Sequence, residues 1–223
     1  MTTRLQLYKD ALRLCGAASI SALTDEVESR RLLDEVWDGG GVRKVLERGS
    51  WQFAVRTQML DFDPSVSPSF GYTRAFVKSS DWVTTTAICT DEFLRAPLLQ
   101  YIDEVGYLYA DEEVLYVQFV SDDPAFGGDL STWTGTFNDY AIAYFASQII
   151  HRLTSDKERL AMLLGPDLSG EKRGMLAERL RTARAKDAMQ DPTKFLPEGS
   201  WVRARRGGGH GGRDNGSRGQ LIG

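Results

Sequence analysis

One long segment in the second half of the chain is more apolar than any other. From Phe137 to Leu153, apolar residues cover most of the circumference of a helix, so such a helix needs neighbours on several sides. It is too short to cross a membrane, and five polar residues interrupt it: Asn138, Asp139, Gln148, His151 and Arg152. The sequence therefore predicts the central helix of a bundle.

Helical periodicity also occurs near the N-terminus. Apolar spacing predicts a first helix over residues 5–14 that stops at Gly16, and a second helix with Thr24 as its N-cap. The three glycines at 39–41 interrupt the second pattern, because each glycine costs a helix about 1 kcal/mol relative to alanine. We expect either a break there or a strongly packed second piece.

Helical patterns return after the central helix. Residues 155–158 have the capping-box pattern and begin a helix that ends at Gly165, and a further helix is predicted over 169–189. The helices at the two ends of the chain are expected to pack on the central one.

The residue pattern changes period between these two helical parts. Short runs rich in β-branched and aromatic residues alternate there with polar turns. The predicted strands lie within residues 51–62, 72–78, 82–89, 98–105, 107–110 and 114–120. Their regular spacing predicts an antiparallel sheet, a sandwich or a small barrel, followed by a long loop at 121–136.

These patterns together predict an α+β fold in three parts. Residues 1–50 and 133–190 form a helical bundle, residues 51–132 form a central antiparallel β domain, and residues 191–223 form an extended C-terminal arm rich in glycine and arginine. Neither a signal peptide nor a membrane span is predicted. Two cysteines are too few for a disulfide framework, so we expect buried thiols and synthesis in the cytoplasm.

The charge of the chain is distributed unevenly. Residues 199–223 contain five arginines and one aspartate, a net charge of +4, so residues 1–198 carry −8 of the total of −4. An acidic body with a basic, glycine-rich tail is the clearest asymmetry in the sequence.

The basic tail has three interpretations. It can bind nucleic acid through phosphate charge and stacking, fold as a flexible arm into a groove on a partner protein, or serve as a solubilising end. Trp201 at its root and Leu221 and Ile222 near its tip favour the arm, because apolar anchors imply pockets on a partner.

Residues that could carry chemistry are scattered along the chain. A zinc site needs about four ligands with paired spacing, whereas Cys15, Cys89, His151 and His210 occur singly. His151 is interpreted as the end of a buried helix face. Acidic residues at 103–104, 111–113 and 122–123 could include the general acid and nucleophile of a glycan hydrolase, but charged turns between strands are commoner. No catalytic, cofactor-binding or metal-binding residue is predicted.

Several landmarks resemble one family when they are taken in order. They are Tyr8–Gly16, Ala18–Thr24, Leu46–Ala54, Gly71–Val77 running on to Asp81 and Trp82, the apolar helix after Phe137, and Trp201–Arg205. Their order and spacing resemble the head-to-tail adaptors of short-tailed bacteriophages, the tail tubular protein A family, over nearly the whole chain. Two features depart from that pattern: the triple glycine at 39–41, where the family continues its helix, and the glycine-arginine extension after Arg206.

The resemblance implies a structural connector and not an enzyme. Such adaptors form a dodecameric ring in the neck of the virion, with the portal protein above and the tail nozzle below, and the genome passes through the bore without sequence-specific binding. It further implies that the C-terminal arm grips the portal and that no cofactor is needed. The arm residues in this chain are Trp201, Arg203, Arg205, Arg206, Leu221 and Ile222.

Two rival functions stay open from the sequence. One is a tail-associated peptidoglycan hydrolase, which would need a pair of carboxylates. The other is a basic-tailed nucleic-acid-binding protein. An acidic body also suits a DNA conduit, because a negatively charged wall repels phosphate and lets DNA slide.

Overall fold

A computed structural model of the chain describes residues 2–69, 71–154, 156–166, 168, 171 and 173–190. The described residues belong to one compact unit, Met1–Gln190. The predicted arm, residues 191–223, lies outside them. The fold is mixed α+β, as predicted: helices from both ends of this unit form a bundle, and the strands lie between them in sequence.

The helices and strands follow one another in a simple order. The helices are α1 Arg4–Cys15, α2 Glu28–Asp38, α3 Gly41–Leu46, α4 Gly135–Leu153, α5 Lys157–Leu164 and α6 Met175–Ala188. The strands are β1 Val55–Asp61, β2 Arg74–Val77, β3 Trp82–Cys89, β4 Ile102–Glu104, β5 Tyr107–Ala110 and β6 Val114–Ser121.

Helix α1 matches its prediction, whereas α2 begins later than predicted. The Thr3 side chain caps α1, and Gly16 ends it in the left-handed conformation with φ of 69°. The prediction of Thr24 as the N-cap of α2 was wrong, because α2 starts at Glu28. The Asp25 carboxylate instead accepts hydrogen bonds from the backbone N–H groups of the preceding turn, at 2.7 Å from Ser21.

The triple glycine breaks the second helical pattern in two. Helix α2 ends at Asp38, Gly40 has a φ of 78°, and α3 begins at Gly41. A Cβ atom on Gly41 would come within 2.7 Å of the Val36 carbonyl oxygen and 2.9 Å of the Phe145 ring. The short helix α3 thus turns back close to α4, and only glycine fits at its first position.

Helix α4 is the central helix of the bundle, as predicted. It packs against all five other helices, and Phe137, Phe145 and Ile150 are among its fully buried residues. Helix α5 is capped by the Asp156 carboxylate, which accepts from the Glu158 N–H at 3.0 Å. Helix α6 begins at Met175 and is shorter than the predicted segment 169–189.

The strands form two small antiparallel sheets. One has the order β1-β6-β3 and the other the order β2-β5-β4. The two sheets share a second hydrophobic cluster, in which Trp82 stacks on Phe119 with ring centroids 4.0 Å apart. The predicted strand at 98–105 is reduced to β4, and the start of the predicted strand at 51–62 is a short 3-10 helix, Gln52–Ala54.

Trp51 belongs to the helical core and not to a strand. Its indole N–H donates to the Leu46 carbonyl at 3.0 Å, and its ring lies 4.7 Å from that of Phe137. The loop after β6 also packs inward, because the indole of buried Trp133 donates to the Gly127 carbonyl at 2.8 Å. Aromatic residues outside the helices therefore complete the core of the bundle.

Strand β6 connects the two cores. Its residues Val117 and Phe119 belong to the cluster between the sheets, whereas the next residue, Val120, belongs to the helical cluster. Ion pairs fasten the same junction: Arg43 of α3 binds Asp122 at 2.8 Å, and Arg56 binds Asp81 at 2.8 Å.

Candidate functional site

The residues predicted to bind the portal lie outside the part of the chain that the structure describes. They are Trp201, Arg203, Arg205, Arg206, Leu221 and Ile222. Their role as an arm stays a prediction.

The acidic residues considered for glycan hydrolysis are separated, and most hold the fold together. Asp103 pairs with Lys78 and accepts from the Thr85 hydroxyl at 3.1 Å, and Asp122 pairs with Arg43. Residues 111–113 lie at the opposite end of the β4–β5 hairpin from its turn, and their Glu113 pairs with Arg74 at 3.1 Å. Each of these contacts fixes a turn or a strand.

The histidine and the cysteines within the described residues are also apart from one another. The prediction that His151 ends a buried helix face was wrong, because its side chain is exposed near the end of α4. Both thiols are buried and free, as predicted, and burial raises the pKa of Cys15 to about 11. Among the described residues, no three His, Cys, Asp or Glu side chains come together as a metal site.

A polar groove runs along the otherwise apolar helix α4. Its floor is a stripe of residues at helical spacing, which are Tyr140, Tyr144, Ser147, Gln148 and His151. Leu176 and Leu180 of α6 form an apolar wall, Arg48 and Arg184 lie near Tyr140 at one end, and the carboxylate-bearing Glu171 also lines the groove. The groove encloses about 630 Å³.

The end of this groove with the two arginines is positively charged and rich in hydrogen-bond donors. Arg184 donates through Nε to the Arg48 carbonyl at 2.7 Å. Separately, the Arg48 guanidinium makes no hydrogen bond or ion pair to another described residue. The Tyr140 residue is only 1% exposed, and its hydroxyl makes no hydrogen bond to another described residue. Burial raises the pKa of Tyr140 to about 12, although the positive charges of Arg48 and Arg184 oppose that rise. The hydroxyl therefore stays protonated and can donate to an anion.

The β part of the chain has the opposite character. Residues 51–132 carry 13 acidic and four basic side chains, so their net charge is −9. The β4–β5 hairpin exposes Ile102, Glu104 and Val105, and Val105 at its turn is fully exposed. The tip of this hairpin therefore presents an apolar side chain and a carboxylate to solvent.

Sequence reasoning missed the groove. The signal that could have indicated it is the i, i+4 and i+8 spacing of Tyr140, Tyr144 and Gln148, which forms one polar line on an apolar helix. Arg48 and Arg184 could not be assigned to it, because they are 136 residues apart in sequence.

Comparison of the chain with models of known protein families and with curated proteins gives no match. In the part of the chain described here, no helix has both the length and the apolar character needed to cross a bilayer.

Proposed function

We propose that this chain is a structural head-to-tail connector of a bacteriophage, which joins the portal to the tail nozzle and forms part of the DNA ejection channel. The observation that carries the proposal is the order of sequence motifs that resemble such adaptors along nearly the whole chain. Three aromatic residues of those motifs, Tyr8, Trp51 and Trp82, are buried in the two cores. The resemblance thus involves residues on which the architecture depends.

The charge of the β part supports a role as a conduit. A net charge of −9 on residues 51–132, repeated in a ring of twelve copies, gives a strongly negative assembly. Such a wall repels DNA phosphates, so the genome slides past it and is not held. The connector acts by binding its neighbours and needs neither catalysis nor a cofactor.

The C-terminal arm is the portal-binding element of this proposal. Ordering a flexible arm costs roughly 1–2 kcal/mol of backbone entropy per residue, and exposed ion pairs contribute only about 0–1 kcal/mol each. Burial of Trp201, with Leu221 and Ile222, in portal pockets supplies the missing affinity, and repetition over many subunits adds avidity. Arg203, Arg205 and Arg206 then set the register by forked bonds to carboxylates.

Deletion of residues 198–223 tests the arm. We expect a folded body that no longer docks on purified portal in a pull-down, and we expect Trp201→Ala to weaken docking more than the matched variant Arg213→Ala. A truncated protein that binds portal as tightly as the full chain would show that the tail is only a solubilising end.

Electron microscopy of a mixture tests the connector itself. Negative-stain images should show rings of this chain on portal particles, while the isolated protein sediments mainly as a monomer. Absence of rings at saturating portal would refute the proposal. Release of muropeptides from purified peptidoglycan by the isolated chain would favour the hydrolase instead.

A further inference from the structure

The β4–β5 hairpin is a rigid projection that ends in an apolar residue and a free carboxylate. Its turn, Val105 and Gly106, is held by Lys78, whose N–H donates to the Gly106 carbonyl at 2.9 Å. The Lys78 ammonium, 13% exposed, also binds Asp103 and the Glu104 carbonyl, the latter at 3.1 Å. Asp103 is thereby neutralised, whereas the Glu104 carboxylate has no partner among the described residues.

The groove on α4 has the complementary features. Leu176 and Leu180 form its apolar wall, and its basic end contains Arg48, whose guanidinium pairs with no other described residue. Tyr140 lines the same end, and its hydroxyl makes no hydrogen bond to another described residue, so it is available to an incoming acceptor. A carboxylate at this end can accept hydrogen bonds from both the arginine and the tyrosine, and the charged pair is the stronger of the two.

We propose that the groove on α4 is the docking site for the β4–β5 hairpin of a second copy of this chain. Val105 lies against the leucine wall, and the Glu104 carboxylate accepts hydrogen bonds from Arg48 and Tyr140. Charge complementarity selects this occupant, because the hairpin belongs to a segment of net charge −9 and the groove end carries two arginines.

This contact joins two different surfaces, so each copy can use its hairpin on one neighbour and its groove on the other. Contacts of that kind close into a ring or extend into a filament. Duplex DNA does not suit the site, because the leucine wall offers nothing to phosphate. The inference rests on the proposed function only in requiring copies side by side. A contact made by one hairpin is small, so it agrees with the expectation that the isolated protein sediments mainly as a monomer.

Disulfide trapping between two variants, each with one added cysteine, tests the contact. Val105→Cys protein is mixed with Gln148→Cys protein at high concentration under mild oxidation, and the heterodimer is measured on a non-reducing gel. Both native thiols are buried and contribute little background. We expect at least a tenfold higher yield than from the control mixture of Glu112→Cys with Gln148→Cys, because Glu112 lies at the opposite end of the hairpin.

Charge swaps show whether the trapped pair uses the stated contacts. Arg48→Glu in the groove partner should lower the yield about tenfold, and Glu104→Arg in the hairpin partner should restore it. A yield equal to that of the control mixture, or a loss that the double swap does not restore, would overturn the inference. The inference would also be overturned if duplex DNA, and not the hairpin, protected the groove cysteine at position 148 from oxidation.

The outcomes separate this inference from the proposed function. Trapping without portal-bound rings would support the contact and refute the connector. Rings on the portal in which the cysteine pair does not form would support the connector and refute the contact.

Discussion

The Asp81 carboxylate is predicted to stabilise the junction between the two cores. It accepts hydrogen bonds from Arg56 at 2.8 Å and from the Ser121 hydroxyl, and its side chain is 11% exposed. Burial raises the pKa of Asp81, but the polar groups around it, chiefly Ser121, then Ser79 and Arg56, together outweigh burial and lower the pKa from 3.8 to about 2. We therefore expect Asp81→Asn, which resembles the protonated acid, to destabilise the fold at pH 7.

The magnitude follows from linkage between protonation and folding. The fall of the pKa from 3.8 to about 2, at about 1.4 kcal/mol per pKa unit, corresponds to roughly 2–3 kcal/mol. Because the pKa is lower in the folded state, this contribution is complete above the unfolded value near 4 and disappears as the pH falls through about 2. Wild type and Asp81→Asn should then converge in stability between about pH 4 and pH 2.

Urea unfolding followed by circular dichroism measures this difference at pH 7 and across the acid range. Glu113→Gln is the matched control, because Glu113 also pairs with an arginine, at 3.1 Å, but its side chain is 79% exposed. Glu113→Gln should lower the free energy of unfolding by less than about 1 kcal/mol. If Asp81→Asn is as stable as wild type at pH 7, or if its deficit persists unchanged down to pH 2, the assigned role of Asp81 is wrong.

Two further substitutions test the packing of the helical core by the same urea titration. Trp51→Ala should lower the free energy of unfolding by about 3–5 kcal/mol, because a fully buried ring is removed. Trp51→Phe keeps an aromatic ring and should lower it less. Equal losses for the two variants would contradict this account. Gly41→Ala should lower the free energy of unfolding by about 1–3 kcal/mol, because its Cβ would approach the Phe145 ring to 2.9 Å. Gly135→Ala is the control, since a Cβ at Gly135 meets nothing within 4 Å. Equal losses for the two variants would refute this reason.

Local pattern predicted those elements whose ends are marked by local chemistry. Strands β3 and β5 begin and end where the sequence indicates, and Gly16 ends α1 because a left-handed cap suits glycine. Trp51 was assigned to a strand because its alternation with Phe53 has period two, but tertiary packing on Phe137 decided its position.

The candidate sites also differ in whether local sequence or long-range contacts determine them. The exposed acidic turns are visible in the sequence, whereas their separation depends on strand pairing. The groove on α4 depends on bringing Arg48 next to Arg184, a long-range contact that no local pattern encodes. The position of the predicted arm, residues 191–223, lies beyond the described residues.

Strand β6 contributes side chains to both cores, and this limits which parts of the chain can be exchanged in a chimera. Val117 and Phe119 pack in the cluster between the sheets, whereas Val120 packs in the helical core. A chimera that exchanged the whole β part for that of another protein would have to keep a residue shaped like Val120, or leave a gap in the bundle. The end of β6 before Ser121 must therefore be exchanged together with the helices that Val120 contacts, whereas the solvent-facing positions of the sheets are free of that constraint.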